Sequence, residues 1–258
     1  MTVEFKNATI GYGEKAVLEN LNFTVDSNDS ICLLGPNGIG KTTLFKSMLG
    51  MLPLLKGDIL VEGKSVRKIP TTKMATYFAY VPQSKDYSYQ FSVEEIVLMG
   101  RAMYIGKFSS PSKEDYAIAA ESLEKLGVYK FKDAKYSELS GGEQQIVLIA
   151  RALAQQAQFI VMDEPASNLD FANQKKLLNV IRGLGGTNVG ILMSTHTPDH
   201  AFLCAQKALL VSKDKSYKFG TVNDIVQTDN LSRAYGVEIQ VVSTVVNDSE
   251  IKTCSLTL

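Results

Sequence analysis

The sequence predicts an α/β fold with two additions, an antiparallel β part at the N-terminus and an inserted helical part. Apolar runs typical of buried strands alternate with segments of helical periodicity, as at residues 31–34 and 41–49. Residues 2–25 instead alternate apolar and polar positions on both sides of a glycine-rich turn, which indicates antiparallel strands. The pattern is mainly helical from about 84 to 156. We therefore expect residues 1–258 to form a single domain with the helical part inserted in its core.

The composition excludes some classes of partner. Lys plus Arg equal Asp plus Glu at 27 each, so the net charge gives no sign of a nucleic-acid partner, and we expect none. Cys32, Cys204 and Cys254 are an odd number of cysteines without metal-ligand spacing, which is typical of reduced thiols in a cytosolic protein. The sequence has no signal-like N-terminus and no run near the roughly 20 apolar residues of a membrane span. Any membrane-spanning helices would therefore belong to another chain.

A glycine-rich stretch after the first buried strand gives the clearest indication of a ligand. Its residues fit the spacing G-x-x-x-x-G-K-[ST] between a strand and a helix, and they are Gly35, Pro36, Asn37, Gly38, Ile39, Gly40, Lys41 and Thr42. Glycines let backbone N–H groups surround phosphate oxygens, and the helix N-terminus adds positive potential. In this pattern Lys41 reaches the β- and γ-phosphates and the Thr42 hydroxyl helps to hold Mg²⁺. The alternative is a turn that only needs glycine, but packing gives such a turn no reason to end in Lys-Thr.

Polar side chains follow other strand-like runs, where the strands of an α/β sheet present catalytic groups. Four apolar residues precede Asp163 and Glu164, a pair of carboxylates suited to a metal ion and a water molecule beside a phosphate. Gln83 and His196 also follow apolar runs and can reach Mg²⁺, a water or a phosphate, although position alone equally fits a capped loop amide and a structural histidine. Tyr12 lies in the N-terminal turn and is either an aromatic that covers the core or a ring that stacks on a base.

Serine and aspartate residues predict where several helices begin. Ser92 and Ser112 are each followed three residues later by an acid, which predicts two capping boxes. Leu139-Ser140-Gly141-Gly142-Glu143 opens a long apolar helix, and its glycines expose backbone amides that can bind an anion. Ser-Gly-Gly caps are common, so this segment is weak evidence by itself. Ser167-Asn168-Leu169-Asp170 caps the next helix.

Together these motifs resemble the nucleotide-binding subunit of the ATP-binding cassette (ABC) superfamily over nearly the whole chain. In family order they match the Walker A loop at 35–42, the Q-loop at Gln83, the signature at 139–143, Walker B at 159–164, the D-loop at 167–170 and the switch histidine at His196. The signature discriminates, because a Ser-Gly-Gly helix about twenty residues before Walker B resembles only ABC-type enzymes and their relatives. The resemblance implies a P-loop NTPase of ABC type: a RecA-like core with an N-terminal antiparallel β subdomain and an inserted helical signature subdomain.

The resemblance implies a head-to-tail dimer of two copies, with ATP between the Walker A loop of one copy and the signature of the other. Ser140 and Gly142 would then contact the γ-phosphate of the partner's ATP, and the neighbouring signature residues would be Leu139, Gly141 and Glu143. The ATP-binding residues implied in this way are Tyr12, which would stack on adenine, and Gly35, Pro36, Asn37, Gly38, Ile39, Gly40, Lys41, Thr42 and Thr43.

The resemblance also assigns the chemical steps of an ATPase. Glu164 would orient or deprotonate the attacking water, and His196 would hold the γ-phosphate. Thr42 and Asp163 would hold Mg²⁺, and Gln83 would contact both the metal and the water. The cofactors expected are therefore ATP and Mg²⁺.

Three segments are similar to type II importer ATPases, which serve iron-siderophore, haem, cobalamin and molybdate transporters: 91–101, 108–115 and 169–174. The C-terminal Phe219-Gly220 and Tyr235-Gly236-Val237 resemble the same group, and we expect no extra regulatory domain. The implied partners are an integral membrane permease, received by the helical part around 84–101, and indirectly an extracytoplasmic substrate-binding protein. The implied location is the cytoplasmic face of a bacterial or archaeal membrane. Family numbers favour an iron complex as cargo, with molybdate or tungstate next.

The sequence leaves the role of three aromatic residues open, and two rival classes of ABC ATPase are compared with the importer. The aromatic residues Tyr87, Tyr89 and Phe91 either belong to the core of the helical part or form a docking surface for a partner helix. A soluble ABC ATPase without a permease, such as an iron–sulfur assembly subunit, has the same motifs, although the importer-like helical part argues against it. A repair or chromosome-maintenance ATPase would need a long coiled coil before the signature, and the sequence contains none.

Overall fold

Three β-sheets organise the residues that the computed structural model describes, which are 1–83, 90–106, 109–185, 188–246 and 249–256. The strands are β1 Thr2–Tyr12, β2 Lys15–Asp26, β3 Ser30–Leu34, β4 Lys56–Val61, β5 Lys64–Ser65, β6 Phe78–Val81, β7 Phe159–Met162, β8 Gly190–Thr195, β9 Lys207–Val211, β10 Tyr217–Thr221, β11 Ile239–Val246 and β12 Ser249–Leu256. The helices are α1 Lys41–Met48, α2 Thr71–Tyr77, α3 Val93–Leu98, α4 Lys113–Lys125, α5 Gly141–Ala154, α6 Phe171–Leu184, α7 Asp199–Cys204, α8 Val222–Ile225 and α9 Thr228–Tyr235.

The largest sheet has the strand order β10-β9-β3-β8-β7-β6, and its neighbours pair in parallel except β10 with β9. Every residue of β3 and β7 is buried, as expected for parallel strands covered on both faces. Because β3, β6, β7 and β8 run in the same direction, their carboxyl ends share one edge of the sheet. Gly35, Gln83, Asp163 and His196 follow those ends within two residues, so the topology collects four distant groups at this edge.

The N-terminal part forms an antiparallel sheet in the order β2-β1-β4-β5, as the alternating pattern predicts. Helix α1 packs between this sheet and the largest one, since its Leu44, Phe45 and Met48 share one apolar cluster with residues of both sheets. Burying a leucine or phenylalanine side chain stabilises a fold by about 1.5–3 kcal/mol. This burial fixes the position of α1 and therefore of the glycine-rich loop that precedes it.

Helices α3, α4 and α5 pack around a common apolar cluster and form the helical part that the sequence predicts. Both predicted capping boxes are present: Ser92 exchanges hydrogen bonds with Glu95, and Ser112 exchanges them with Asp115. The expected docking segment is described only in part. Residues 84–89, which include Tyr87 and Tyr89, and Phe108 lie outside the described residues, whereas Phe91 is described and partly exposed.

Two elements differ from what the sequence pattern indicates. Residues 71–77 form a helix that the pattern does not reveal, because Met74 is its one buried residue. The apolar run 77–81 predicts a strand that begins at Tyr77, but Tyr77 ends the helix and the strand begins at Phe78. The C-terminal hairpin of β11 and β12 is also not predicted. Its exposed residues include apolar as well as polar side chains, so its sequence lacks the regular alternation of apolar and polar residues that indicates a strand. Among the described residues, no helix is long and apolar enough to cross a bilayer.

A buried arginine joins three segments of the helical part. Arg101 donates from Nε to Asp115 Oδ1 at 3.0 Å, and its NH1 group donates to Ala154 O and to Gln156 Oε1, both at 2.8 Å. The guanidinium also lies 3.9 Å from the ring centroid of Tyr104. The Ser112 hydroxyl and backbone N–H, together with Arg101, lower the pKa of Asp115 to about 2. This carboxylate therefore caps α4 and balances the buried arginine at the same time.

We expect the stabilising effect of Asp115 to depend on pH. Its pKa is lower in the folded protein than the value of about 3.9 for an unfolded chain, so its contribution is complete above about pH 4 and disappears as the pH falls towards 2. Asp115→Asn should lower the urea midpoint of unfolding at pH 7, and the gap to the unmodified protein should close between pH 4 and 2. Glu114→Gln is the control, because this exposed acid occupies the same helical turn. A gap that stays constant across this range would contradict the prediction.

Candidate active site

The carboxyl edge of the largest sheet opens into a cavity of about 370 Å³. Its lining combines the glycine-rich loop with residues from the N-terminal sheet and from the ends of β6 and β7. The lining residues are Tyr12, Val17, Asn37, Gly38, Gly40, Lys41, Thr42, Thr43, Gln83 and Glu164. The fold thus brings together most of the residues that the sequence assigns to nucleotide binding. Tyr12 lines the cavity and is 52% exposed, so its side chain is accessible to a ligand there.

The glycine-rich loop has a backbone that other residues would strain. Gly35 has a φ of 154°, and a Cβ atom there would lie 2.7 Å from the Val211 carbonyl oxygen. Gly40 has a φ of 114°, and its Cβ would lie 2.4 Å from Cγ1 of Val17. Both positions therefore need glycine for conformation and for space. Between them, Asn37 and Gly38 are exposed at the cavity, whereas Ile39 packs against the apolar cluster around α1.

Lys41 is 5% exposed, yet its ammonium has three oxygen partners. It donates to the carbonyl oxygens of Gly35 at 2.9 Å and Pro36 at 3.1 Å, and it lies 3.0 Å from Glu164 Oε1. A buried ammonium needs such partners because its desolvation is expensive. The loop therefore curls around its own lysine and holds the positive charge at the cavity, where phosphate oxygens can replace the carboxylate.

Asp163 is the centre of a hydroxyl network beneath the cavity. Its Oδ2 accepts from the Thr42 hydroxyl at 2.6 Å and from the Tyr80 hydroxyl at 3.4 Å, and its Oδ1 accepts from the Ser194 hydroxyl at 2.6 Å. Hydroxyl and carboxylate oxygens are the hard ligands that Mg²⁺ prefers. Within the described ranges no group of three or more His, Cys, Asp or Glu could hold a metal. This donor set fits Mg²⁺ in a phosphate site, where one or two protein oxygens suffice and phosphates and waters complete the shell.

Glu164 lies between two cationic or potentially cationic groups. One carboxylate oxygen is 3.0 Å from Lys41 Nζ, and the other is 3.2 Å from His196 Nδ1. Its backbone is in the left-handed region with a φ of 46°, and its N–H donates to the Ser194 hydroxyl at 2.9 Å. Such a conformation costs about 1–3 kcal/mol and persists only where surrounding contacts hold it. The backbone of Glu164 is therefore held in an unfavourable conformation that places its side chain at the rim of the cavity.

Gln83 approaches the same rim from the end of β6. Its amide Nε2 lies 3.5 Å from Ser167 Oγ, and the Ser167 hydroxyl donates to the Glu164 carbonyl oxygen at 2.8 Å. Gln83 thus contacts Ser167, the first residue of the D-loop, and Ser167 in turn contacts the backbone of Glu164. This contact connects the D-loop to the cavity even though Asn168, Leu169 and Asp170 are absent from its lining.

The signature segment caps its own helix. The Ser140 hydroxyl accepts from the Glu143 N–H and donates to Glu143 Oε2 at 2.6 Å. The Ser140 backbone N–H donates to the same carboxylate oxygen at 3.0 Å, and the two bonds to the carboxylate lower the pKa of Glu143. Gly142 is buried against the start of α6, where a Cβ would lie 2.6 Å from Cγ of Asn173. Asp170 caps α6 by accepting from the Asn173 N–H at 2.8 Å. Ser140 and Gly141 are exposed, and no signature residue lines the cavity.

Sequence patterns alone did not identify Ser194, Tyr80 and Tyr235 as part of the site. Ser194 is completely buried and contacts both acids, while Tyr80 contacts Asp163. Tyr235 donates to the carbonyl oxygen of His196 at 3.0 Å. The available signal for Ser194 was a polar residue at the end of an apolar run, two residues before the histidine, because a hydroxyl that is buried there requires a partner.

The family model for ABC transporters matches residues 18–167, which is more than half of the chain. The chain belongs to the ABC transporter family. An "Uncharacterized ABC transporter ATP-binding protein" of Haemophilus influenzae is 38% identical, with 91% of this chain and 89% of that protein aligned. A Helicobacter pylori relative, named "Probable iron chelatin transport ATP-binding protein", is 32% identical over 94% of this chain and 96% of its own. A molybdate import ATP-binding protein of Haemophilus influenzae is 34% identical over 86% and 83%.

A solved ABC transporter structure, described as of metal-chelate type and in an inward-facing conformation, has a chain that matches with a TM-score of 0.89 and 30% identity. The match covers 100% of this chain and 98% of that one. The predicted membership and ABC fold are confirmed. As an ABC ATP-binding protein the chain binds ATP and is an ATPase of the kind coupled to transport.

We expect Ser194→Ala to reduce ATP hydrolysis more than ATP binding. The change removes a donor to Asp163 and an acceptor for the Glu164 N–H, so both acids lose a positioning contact. Two such hydrogen bonds correspond to roughly a tenfold or greater decrease in kcat. Steady-state ATPase kinetics and a nucleotide titration measure the two effects. Ser65→Ala is the matched control, because Ser65 also donates to an aspartate, at 2.8 Å, but lies in the N-terminal sheet. Equal losses in both variants would contradict the assignment.

Proposed function

We propose that the protein is the ATP-hydrolysing subunit of a type II membrane importer, with an iron-siderophore or related metal complex as cargo. We also propose that residues 1–258 act as one nucleotide-binding domain with the helical part, about 84–156, inserted. The observation that carries the proposal is the placement of Glu164 between Lys41 and His196 at the rim of the glycine-rich cavity. A carboxylate there can orient water for attack on a γ-phosphate.

In this mechanism the glycine-rich loop binds the phosphates through its backbone N–H groups. The ammonium of Lys41 gives up its contact with the Glu164 carboxylate and contacts phosphate oxygens instead. Glu164, released from the lysine, orients or deprotonates the attacking water, and His196 holds the γ-phosphate. Thr42, Asp163 and Gln83 would hold Mg²⁺, which when bound neutralises the charge of the β- and γ-phosphates. Tyr12 stacks on the base at the mouth of the cavity. The residues thus act mainly by positioning and by charge stabilisation.

The position of the signature supports the proposal that a second copy completes the site. The five residues Leu139, Ser140, Gly141, Gly142 and Glu143 lie at the start of α5 and do not line the cavity of their own chain. We propose that Ser140 and Gly142 contact a γ-phosphate held by another copy, where the helix N-terminus adds positive potential. Ser140 and Gly141 are exposed, whereas the Cα of Gly142 is buried, so Gly142 would contribute its backbone N–H. ATP between two copies acts as a ligand that favours the closed dimer, and hydrolysis removes that preference.

The names of the relatives support a transport partner. The Helicobacter pylori relative is named for iron chelatin transport, and the structural neighbour is a metal-chelate type transporter. We propose that an integral membrane permease binds the helical part near 84–101 and connects the subunit to an extracytoplasmic substrate-binding protein. The subunit then lies on the cytoplasmic face of the cell membrane. We propose no nucleic-acid partner.

In the proposed importer the permease and the substrate-binding protein contact the cargo, and this chain does not. The names of the relatives are therefore the basis for proposing a cargo. Iron chelate is favoured by the Helicobacter pylori protein and by the structural neighbour. The Haemophilus influenzae molybdate relative makes molybdate or tungstate the second candidate, ahead of haem or cobalamin.

The dimer proposal predicts the behaviour of Glu164→Gln. The substitution keeps the size and shape of the side chain but replaces the carboxylate with a neutral amide, which cannot accept a proton from water. The variant should therefore bind ATP without hydrolysing it and accumulate as a closed dimer. Light scattering after gel filtration in saturating Mg·ATP measures its mass.

Two further variants test the cause of such dimerisation. Lys41→Ala in the same background should lose nucleotide affinity and stay monomeric. Ser140→Arg in the same background should bind ATP and stay monomeric, because the signature of every copy is blocked. A Glu164→Gln protein that binds ATP yet remains monomeric would contradict the sandwich arrangement.

The importer proposal is tested by isolating tagged Glu164→Gln protein from membranes of its host in Mg·ATP and identifying co-purifying chains by mass spectrometry. Recovery of a multi-helix permease supports the importer, and the substrate-binding protein associated with that permease indicates the cargo. Lys41→Ala is the matched control for nucleotide-dependent association. Recovery of iron–sulfur assembly factors without a permease would favour the soluble alternative.

A further inference from the structure

Tyr235 is the last residue of α9 and lies about forty residues beyond the histidine that it contacts. Its hydroxyl donates to the carbonyl oxygen of His196 at 3.0 Å. The family resemblance grouped Tyr235 with importer-like C-terminal residues but gave it no role. The contact places a side chain from the end of the chain on the backbone of a proposed catalytic residue.

The ring of Tyr235 packs against the main apolar cluster. Burial raises the pKa of its hydroxyl, so the phenol is protonated at neutral pH. The hydroxyl is therefore available as the donor in its hydrogen bond to the His196 carbonyl oxygen.

Helix α9 holds Tyr235 in a fixed place. Leu231 and Ala234 are buried in the main apolar cluster, and the Lys213 N–H donates to the Ala234 carbonyl oxygen at 3.1 Å. Gly236 ends the helix in the left-handed conformation, and its N–H donates to Ser232 O at 2.8 Å. A side chain that projects from such an anchored turn can hold a neighbouring loop in register.

The other end of the His196 loop is also held by C-terminal residues. Asp199, which opens α7, accepts at Oδ1 from the Thr253 hydroxyl at 2.7 Å and from the Cys254 N–H at 2.9 Å. Residues 196–199 are therefore attached at both ends to elements that follow them in the chain. Between these attachments, the imidazole of His196 approaches Glu164 with Nδ1 3.2 Å from Oε2.

We propose that Tyr235 is a positioning residue for ATP hydrolysis, which holds the His196 backbone in place and thereby sets the distance from His196 to Glu164. The proposal rests on the proposed roles of Glu164 and His196 in hydrolysis. Tyr235 does not line the cavity, so it acts through His196. A displacement of about 1 Å at a catalytic group can cost a large part of the rate, so a backbone anchor of this kind matters for kcat.

The test compares Tyr235→Phe, which removes only the hydroxyl, with Tyr217→Phe. Tyr217 is the matched control because its hydroxyl also bonds to backbone groups, accepting from the Asn22 N–H at 2.7 Å, but it lies on the edge strand β10. We expect Tyr235→Phe to lower kcat about 2- to 10-fold, as for the loss of one hydrogen bond, with the Kd for ATP changed less than about 2-fold. Tyr217→Phe should change neither value.

The dependence on His196 is tested in a His196→Ala background. If Tyr235 acts through the imidazole, adding Tyr235→Phe there should cause no further loss of kcat. An equal loss in both backgrounds would overturn the proposal, because the hydroxyl would then act independently of His196. A Tyr235→Phe protein with unchanged kcat, or with losses of kcat and of ATP affinity in the same proportion, would overturn it as well.

A spectroscopic readout keeps the test independent of turnover. The chain has two histidines, so the imidazole Cε1–H region of an NMR spectrum contains two signals, and His196→Ala assigns them. Tyr235→Phe should shift or broaden the His196 signal, whereas Tyr217→Phe should leave it unchanged. An unchanged His196 signal in Tyr235→Phe overturns the inference. Wild-type protein that binds no ATP would instead overturn the proposed function, so the two failures are distinguishable.

Discussion

The buried ammonium of Lys41 is the constraint on which the rest of the site depends. A charge at 5% exposure must be paired, and the fold supplies two carbonyl oxygens of the loop and the carboxylate of Glu164. To make these contacts the loop must curl, which requires glycine at 35 and 40, and α1 must be held between two sheets. Packing of α1 in the apolar core thus fixes the position of the Lys41 ammonium, and this positive charge lies at a cavity where phosphate can bind.

The two acids after β7 have different surroundings, and this difference fits the separate roles proposed for them. Asp163 is buried among the hydroxyls of Thr42, Tyr80 and Ser194, which suits a ligand for a cation. The backbone N–H of Glu164 donates to Ser194, while the partners of its carboxylate among the described residues are Lys41 and His196. One serine therefore contacts both acids, the first through its side chain and the second through its backbone.

The C-terminal elements support the loop that contains His196. Helix α9 and the hairpin of β11 and β12 contact residues 196–199 through Tyr235, Thr253 and Cys254, so the end of the chain supports the loop opposite the glycine-rich segment. The helical part has its own anchor in Arg101, whose guanidinium joins α4 to the end of α5. The signature helix is therefore attached firmly to its subdomain while its N-terminus stays exposed.

The sequence by itself determined the class of fold, the three capped helices of the inserted part and the residues of the phosphate-binding loop, because these depend on local spacing and on glycine. It also indicated Asp163, Glu164, Gln83 and His196, since parallel strands deliver their following residues to one edge. Only the tertiary structure decided which partners these groups have. Ser194 and Tyr235 carry no local signal of their contacts, and the exposed hairpin and helix α2 lack a clear apolar period. Hydrogen bonds between residues far apart in the chain depend on packing, which no pattern of neighbouring residues records.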